Sequence, residues 1–504
     1  MNKGHVVGVD IGTSRCRAVL YETTGRLVAE STRSYSILNP KPGWQEQDPE
    51  AVLNAFLACL GEIIERAGPN ALLGIGLSCY FHSFMAVDQN NRPLTPCIIW
   101  TDTRSRGAAR RIAEECDPQS LYRRTGCPLH PMYPICKARW LSDEAPSILL
   151  QAHKIVSVKE YIAREVFGEY LVDWSVASGS GMLNIHTLDW DEEAVELAGL
   201  RADHLSTVTS TLTRLPRIRS RYAGMLRLKE SVPVIIGGAD GTLSSIGVGA
   251  VGPGEADSMA GTGAAVRVLV PEPRLDEKAR TWCYVAAPNR WAVGGVSAAG
   301  LIYEWFIREF ETAERQEAER RGMNLHQLLD EYVRSVPLGS DGMIFLPFIV
   351  GARTPIWNPD ARGVLFGLTY HHTSKHILRA LMEGVDYNRF SALKAVEEVV
   401  GGIDSVRVSG GFVNSRSWLQ ITADVYGREL LVPEVPQNTA WGAAFMAMLA
   451  LGLVERLEDI KPMVIIREVV RPDPHAHERY LRFFAKYERL CRKLEDEFGE
   501  EADG

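Results

Sequence analysis

Two acids each close an apolar run and open onto glycine: Asp10 in "VVGVDIGTS", Val6 to Ser14, and Asp240 in "VIIGGADGT", Val234 to Thr242. A carboxylate delivered to the end of a buried strand suits two tasks. It can hold a hydrated magnesium ion through its oxygens. It can also orient a hydroxyl and accept its proton late in a phosphoryl transfer, where electrostatics lowers most of the barrier. After Asp10, the residues Gly12, Thr13 and Ser14 turn the chain and offer backbone N–H groups and hydroxyls, a suitable anion cradle. An ordinary hairpin bend has the same composition. A second turn, Gly261, Thr262 and Gly263 in "MAGTGAA", repeats the pattern, and two such turns together make a clamp for a polyphosphate. Asp240 opens a small-residue helix, so it reads equally as that helix's cap and as a base for a substrate hydroxyl.

Other residues fit a nucleotide base and a substrate. In "VSGGFVNSRSWLQ" the pair Gly410 and Gly411 lets a flat ring approach the backbone, and Asn414 or Ser415 is placed to hydrogen-bond it. Glycines serve helix ends and bends just as well. In "IIWTDTRS" Arg104 has the fork that grips a carboxylate or sugar hydroxyls, with Trp100 as an apolar wall. Its alternative is a surface salt bridge with Asp102. His82 and Ser83 interrupt what otherwise reads as strand in "LLGIGLSCYFHSFMAVD", which tilts His82 from a satisfied core histidine toward a pocket.

Periodicity supplies the elements that must position these groups. "RAVLYETTGRLVAES" reads as two strands about a turn at Thr24 and Gly25, so the strand before Asp10 begins an antiparallel meander. Most nucleotide-binding α/β folds pass from the first strand directly into a helix. "DPEAVLNAFLACLGEIIERAG" is a helix: Asp48 caps it, Pro49 suits its first turn, and Val52, Leu53, Phe56, Leu57, Leu60 and Ile64 form one apolar face. Residues 105–230 alternate helical patterns with short loops. Near Val234 the opening logic recurs, so each half is expected to open with a strand, a glycine turn and a strand. The boundary is expected at about 246–254, in "IGVGAVGPG". The last fifty residues read as charged helix packed across the outside.

Composition narrows the class. A chain of 504 residues exceeds what one core serves, and 46% hydrophobic content is ordinary for a globular protein, so two domains are expected. The net charge of −8 comes with interspersed signs and no basic block, which argues against a nucleic-acid partner. The longest apolar run, Trp441 to Val454, is too short to span a bilayer and suits a core helix. The N-terminal stretch lacks the apolar region of a signal peptide. Nine cysteines without a C-x-x-C pair read as reduced thiols in a cytoplasmic enzyme or binder.

In this order and spacing the motifs resemble those of the FGGY carbohydrate kinases. "MYPICKARWLSDE", from Met132, has the expected Pro134, Lys137 and Trp140, with Ala138 where a bulkier apolar residue is usual. "GVLFGLTYHHTSKHILRALME", Gly363 to Glu383, fits throughout. The resemblance covers about residues 5–455. It implies an α/β protein of the actin-like ATPase fold, with two ribonuclease H-like domains and a cleft between them. Residues 1–246 would form the sugar-binding domain with the first phosphate loop and the catalytic acid, 247–455 the nucleotide domain, and 456–504 a helical extension.

Carried over residue by residue, the resemblance implies ATP and Mg2+ as cofactors and makes Asp10 the acid that positions magnesium. Gly12, Thr13, Ser14 and Arg15 become the first phosphate loop, and Gly261, Thr262 and Gly263 the second. Gly300 and Glu304 match positions near the nucleotide, although glutamate is less usual there; Gly410, Gly411, Asn414 and Ser415 match the adenosine side. Asp240 becomes the catalytic base, with His82, Ser83, Trp100, Arg104 and Tyr133 on the sugar. Glycerol kinases carry Arg-Glu where this chain has Phe81 and His82. Xylulokinases have Met-His-Gly there and gluconate kinases His-Ser, while His130, Pro131 and Met132 look like the gluconate version of their segment. The expected reaction is therefore phosphorylation of the terminal hydroxyl of a sugar or sugar acid, D-gluconate to 6-phosphogluconate, with xylulose or another polyol as the alternative. A remoter alternative is an actin-like nucleotide switch, in which Asp240, His82 and Arg104 would have no purpose. The partners expected are the sugar or sugar acid and MgATP, with no nucleic acid and no membrane; homodimers are common among such kinases.

Overall fold

The computed structural model describes residues 4–68, 72–229, 231–310, 312–434 and 438–498. They form two compact units. The first comprises Met1–Gly252, Leu269–Val293 and Gln437–Val464, and the second Pro253–Val268, Gly294–Pro436 and Ile465–Gly504.

The first unit is built on a five-stranded sheet. β1 (His5–Ile11) and β2 (Arg15–Glu22) form an antiparallel hairpin, and β3 (Leu27–Ser34) continues it on β2. This is the expected meander. α1 (Pro49–Ala67) follows: the Asp48 carboxylate accepts the Glu50 N–H, Pro49 opens the first turn, and the six apolar residues read from the sequence are buried. β4 (Leu72–Cys79) then pairs in parallel with β1. After α2 (Pro134–Glu144) and α3 (Val158–Phe167), β5 (Val234–Ala239) pairs in parallel with β4 and runs directly into α4 (Asp240–Gly247). The strand order is β5-β4-β1-β2-β3.

The second unit repeats the plan. β6 (Glu255–Ala260) and β7 (Gly263–Val270) make an antiparallel hairpin. Beyond α5 (Gly300–Phe310) and α6 (Ser374–Val400), β8 (Ser405–Ser409) joins β6 in parallel. α7 (Arg416–Tyr426) leads to β9 (Leu430–Pro433), parallel to β8. A hairpin extended by two parallel strands in each unit is the ribonuclease H-like plan, and its duplication gives the actin-like ATPase fold.

The chain then returns to the first unit as α8 (Asn438–Ala450). Glycines let this helix lie backbone against backbone on the sheet: a Cβ added to Gly8 would stand 1.7 Å from the Ala440 carbonyl oxygen, and one on Gly76 would stand 1.8 Å from that of Ala443. The core role read for the Trp441 run is thus realised, with Trp441, Phe445 and Met448 buried. This return makes the units discontinuous. The limits drawn along the sequence, 1–246, 247–455 and 456–504, follow chain order, whereas contacts group 269–293 and α8 with the first unit.

In the second unit, α9 (Pro474–Lys493) does more than cover the outside. Its Tyr480, Phe484 and Tyr487 are buried, with rings against Tyr387 of α6. Buried Glu383 accepts hydrogen bonds from Tyr480 Oη (2.9 Å), Arg379 Nε (2.8 Å), the Gly339 N–H (3.0 Å) and Ser340 Oγ (3.1 Å). All nine cysteines are free thiols. Among the described residues no helix is long and apolar enough to cross a membrane.

Candidate active site

Asp10 and Asp240 are brought to the same edge of the first sheet. Asp10 pairs with Ser78 of β4, and Ser78 pairs in turn with Gly238 of β5, so both acids lie at the carboxyl ends of parallel strands. Open α/β sheets place their ligands at that edge. Asp10 Oδ1 is buried without a hydrogen-bond partner. Burial, and next the charge of Asp240, push the Asp10 carboxyl up to about 7, against the opposing pull of Arg17, Ser78 and Arg15. An orphaned carboxylate oxygen beside a second acid is an arrangement that a hard divalent cation would relieve.

The helix cap before α4 is Ala239, so Asp240 lies in the first turn instead of capping it. Its Oδ1 accepts the Gly241 N–H at 2.7 Å, and the helix dipole favours its negative charge. The strand end beneath it is fixed by buried groups. Lys159 Nζ donates to the Gly238 carbonyl (3.0 Å) and to Asp173 (2.6 Å), and Ser175 Oγ accepts the Ala239 N–H (3.1 Å).

The Gly12 turn, expected to receive a phosphate, is tightly held from one side. The Gly12 N–H donates to the Arg15 carbonyl at 2.9 Å, which leaves Ser14 and Arg15 exposed at the tip. Thr13 is engaged instead: its Oγ1 accepts the indole N–H of Trp100 at 3.0 Å and its carbonyl accepts Gln47 Nε2. Trp100, expected as a sugar wall, therefore anchors the phosphate turn through its polar edge. Fully buried Gln47 was not singled out from the sequence, yet its other amide atom accepts the Tyr80 hydroxyl, so it joins the turn to the end of β4.

On the sugar side, His82 adopts a left-handed backbone, φ 65°, which is uncommon for a residue with a Cβ. Its Nδ1 lies 2.6 Å from the Gly179 carbonyl oxygen, and its own carbonyl accepts Lys137 Nζ at 2.6 Å. Lys137 also donates to the Ile99 carbonyl at 2.8 Å, and burial pushes its ammonium down to about 7 against the charge of Asp102. The His82 ring stacks with Phe81 and meets Tyr133 and Tyr284 edge-on, at centroid distances of 5.2, 5.0 and 6.0 Å. The Tyr133 and Tyr284 hydroxyls are hydrogen-bonded at 2.7 Å. Tyr284 comes from the strand Trp282–Ala287, in a stretch that the sequence assigned to the other domain. Its apolar, aromatic strand carries no signal of a binding role.

Two residues expected on the substrate are engaged by the protein itself. Ser83 is buried and its hydroxyl accepts the Val158 N–H at 3.2 Å, so it serves the start of α3. The Arg104 side chain is only 3% exposed. Its guanidinium forks onto Asp102 (2.8–3.0 Å), reaches Glu46 (2.6 Å), and lies over the Trp44 ring with Cζ 3.6 Å from the centroid. The salt bridge with Asp102 is therefore real and buried, with Nε and Nη2 taken up by protein carboxylates.

In the second unit, close backbone packing gathers the glycines. The Gly300 N–H donates to the Gly261 carbonyl (2.8 Å) and the Leu301 N–H to that of Thr262 (2.9 Å), which docks the start of α5 on the β6–β7 turn. Gly410 has φ 98°, and a Cβ there would stand 2.3 Å from the Ala260 carbonyl oxygen. Gly263 closes the turn by accepting the Gly261 N–H at 2.8 Å. Gly411 differs, because an added Cβ would meet nothing within 4 Å, the opening that a flat ring needs. Thr262, Glu304 and Asn414 are exposed. Ser415 is engaged: its hydroxyl donates to Asp330 at 2.6 Å and accepts the Trp418 N–H at 3.1 Å as the cap of α7. Asn414 is thus the better placed of the two for a ligand.

The FGGY family of carbohydrate kinases, N-terminal domain, matches residues 5–247, and the C-terminal domain of the same family matches residues 256–451. A gluconokinase of Bacillus subtilis (strain 168) is 35% identical over 501 residues, covering 99% of this chain and 98% of the relative. A xylulose kinase of the same organism is 26% identical, covering 98% of this chain and 97% of its own. Among solved structures, gluconate kinase from Lactobacillus acidophilus matches with a TM-score of 0.91 at 28% identity, over 99% of this chain and 100% of that one. Both halves of the family pattern are present in order and nearly the whole chain is accounted for, so this chain belongs to the FGGY carbohydrate kinases.

Proposed function

We propose that the chain is an ATP-dependent gluconate kinase, which moves the terminal phosphoryl group of ATP to the terminal hydroxyl of D-gluconate and yields 6-phosphogluconate and ADP. The observation that carries the kinase chemistry is the juxtaposition of Asp10 and Asp240 at the carboxyl ends of parallel strands. The choice of gluconate is supported by the higher identity to gluconokinase than to xylulose kinase.

In this reading Asp240 takes the proton from the attacking hydroxyl as the new oxygen–phosphorus bond forms and the bond to ADP breaks. Asp10 would hold a magnesium ion, which would supply charge neutralisation on the phosphates. Ser14, Arg15 and the backbone of the Gly12 turn receive one phosphate segment. Thr262 and the glycines around it receive another, with the base over Gly411 beside Asn414. The ring of His82, among Phe81, Tyr133 and Tyr284, meets the sugar acid. Arg104 is given no direct part in holding the substrate carboxylate in this reading, because its Nε and Nη2 are taken up by Asp102 and Glu46. A cytoplasmic location and a homodimer complete the reading; light scattering on the purified protein tests the dimer.

A coupled ADP assay over a panel of sugar acids, pentuloses and polyols tests the substrate. The expected result is the highest kcat/KM with D-gluconate. A higher kcat/KM with xylulose would replace gluconate, and slow ATP turnover indifferent to every sugar would remove the kinase reading.

A further inference from the structure

We infer that Lys137 is a positioning residue for sugar recognition: its amino group pins the carbonyls of His82 and Ile99 and so fixes the loop that presents the His82 ring. The inference rests on the kinase reading above.

Lys137 is fully buried in α2, and its Nζ donates to two main-chain oxygens, that of His82 at 2.6 Å and that of Ile99 at 2.8 Å. Among the described residues no carboxylate lies within ion-pair distance of it. A buried amine held only by carbonyls is costly, and an apolar side chain of similar length would serve packing better. The retained donor points to a task other than stability. Both acceptors lie where strands give way to the site: His82 follows β4 after Tyr80 and Phe81, and Ile99 follows the short strand Cys97–Ile98.

The first acceptor belongs to a strained residue. His82 holds φ 65°, a conformation disfavoured by its Cβ, and it persists only where the surroundings over-determine it. Lys137 fixes the backbone and Gly179 fixes the ring through Nδ1, so the imidazole is oriented from two independent points. The second acceptor extends the clamp. Trp100, next to Ile99, donates its indole N–H to Thr13, so one amino group sets the spacing between the His82 loop and the segment that steadies the first phosphate turn. Removing it releases the His82 loop directly and the phosphate turn only through an intermediate residue.

The test compares Lys137→Met and Lys137→Gln with the wild type, measuring KM for the sugar, KM for MgATP, kcat and Tm. The sugar is whichever the wild type turns over with the highest kcat/KM. A failed gluconate assignment therefore changes the substrate and not the test, whereas a wild type inert to every sugar overturns both readings. The expected result is a rise in sugar KM of about tenfold or more for Lys137→Met, with a smaller rise for Lys137→Gln, which keeps one donor group. MgATP KM is expected to stay within about twofold. An unchanged sugar KM, or equal rises in both KM values, overturns the inference whatever happens to Tm. If neither variant folds, hydrogen exchange on the wild type decides. Sugar without nucleotide is expected to slow exchange in residues 80–84 and 97–104 together, and protection of only one segment, or of neither, overturns the clamp.

Discussion

The carboxylates of Asp10 and Asp240 stand two strands apart on one sheet edge, and the charge of Asp240 raises the proton affinity of Asp10. In the proposed reaction the two acids divide the work, Asp10 toward a cation and Asp240 toward a proton. Asp240→Asn keeps the shape and the hydrogen-bonding capacity of the side chain but not its basicity. Its kcat is expected to fall by about 10²–10⁴-fold with nucleotide affinity little changed, measured by steady-state kinetics and calorimetry. Wild-type-like kcat would remove Asp240 from the role of base.

Asp10→Ala should act on a different observable. Metal-dependent ATP affinity is expected to weaken by on the order of tenfold or more, while ATP binding in the presence of a chelator stays the same. Calorimetry with and without magnesium separates the two. Equal affinities for MgATP in variant and wild type would show that the orphaned Asp10 oxygen serves no cation.

Arg104 separates a structural role from a substrate-binding one. Arg104→Lys retains the charge but loses the fork onto Asp102 and the flat contact with Trp44. A loss of about 1–3 kcal/mol of stability is expected from chemical denaturation. The ratio of kcat/KM for gluconate to that for an uncharged polyol should not change. A selective loss of gluconate turnover would restore Arg104 to the substrate.

Lys137 carries a pH dependence of stability. Its ammonium is held down to about 7 in the folded chain, against 10.5 ordinarily. Between those values the unfolded chain binds the proton and the folded chain does not, so Lys137 makes stability rise with pH through that window, by up to about 1.4 kcal/mol per pH unit. Below pH 7 both states are protonated and the contribution is flat. Lys137→Met is expected to lack this rise. Cys97 and Cys136 feel the Lys137 charge, but burial holds their thiols up at about 11 and about 12 and so protonated through most of the range, and the difference between two denaturation series from pH 7 to 10 reads chiefly the lysine. Parallel series would place the lysine's proton elsewhere.

Gly410→Ala probes the nucleotide side. The added Cβ would collide with the Ala260 carbonyl in a backbone conformation that alanine disfavours. A stability loss of about 1–3 kcal/mol is expected, with MgATP KM raised and sugar KM unchanged. A rise confined to the sugar KM would contradict the division of labour between the units.

What the sequence made legible were features encoded by neighbours along the chain. The meander after Asp10, the Asp48 cap of α1, the strand tip at Asp240 and the repeated glycine hairpin each depend on residues a few positions apart. Arg104 shows the limit. Its partner Asp102 is two residues away and was foreseen, but Glu46 and Trp44 arrive from distant chain, and they turn a surface pair into a buried one. Gln47 bridges Thr13 and Tyr80, and Tyr284 reaches Tyr133 across 151 positions. No local pattern announces such pairs. Lys137 was visible only as part of a family signature, because the acceptors that give it a task are backbone carbonyls, which every residue possesses.

The return of α8 to the first sheet has a consequence for how the molecule is made. A ribosome completes β1, β4 and α4 long before it reaches the helix whose backbone rests on Gly8 and Gly76. At about 5–20 residues per second, the interval between emergence of Gly247 and of Ala450 is on the order of 10–40 s. Throughout that interval one face of the nascent sheet lacks its cover, so a message truncated before residue 438 yields an incomplete first unit as well as a shortened second one. The helix that covers this face of the first sheet is thus among the last parts of its unit to be synthesised.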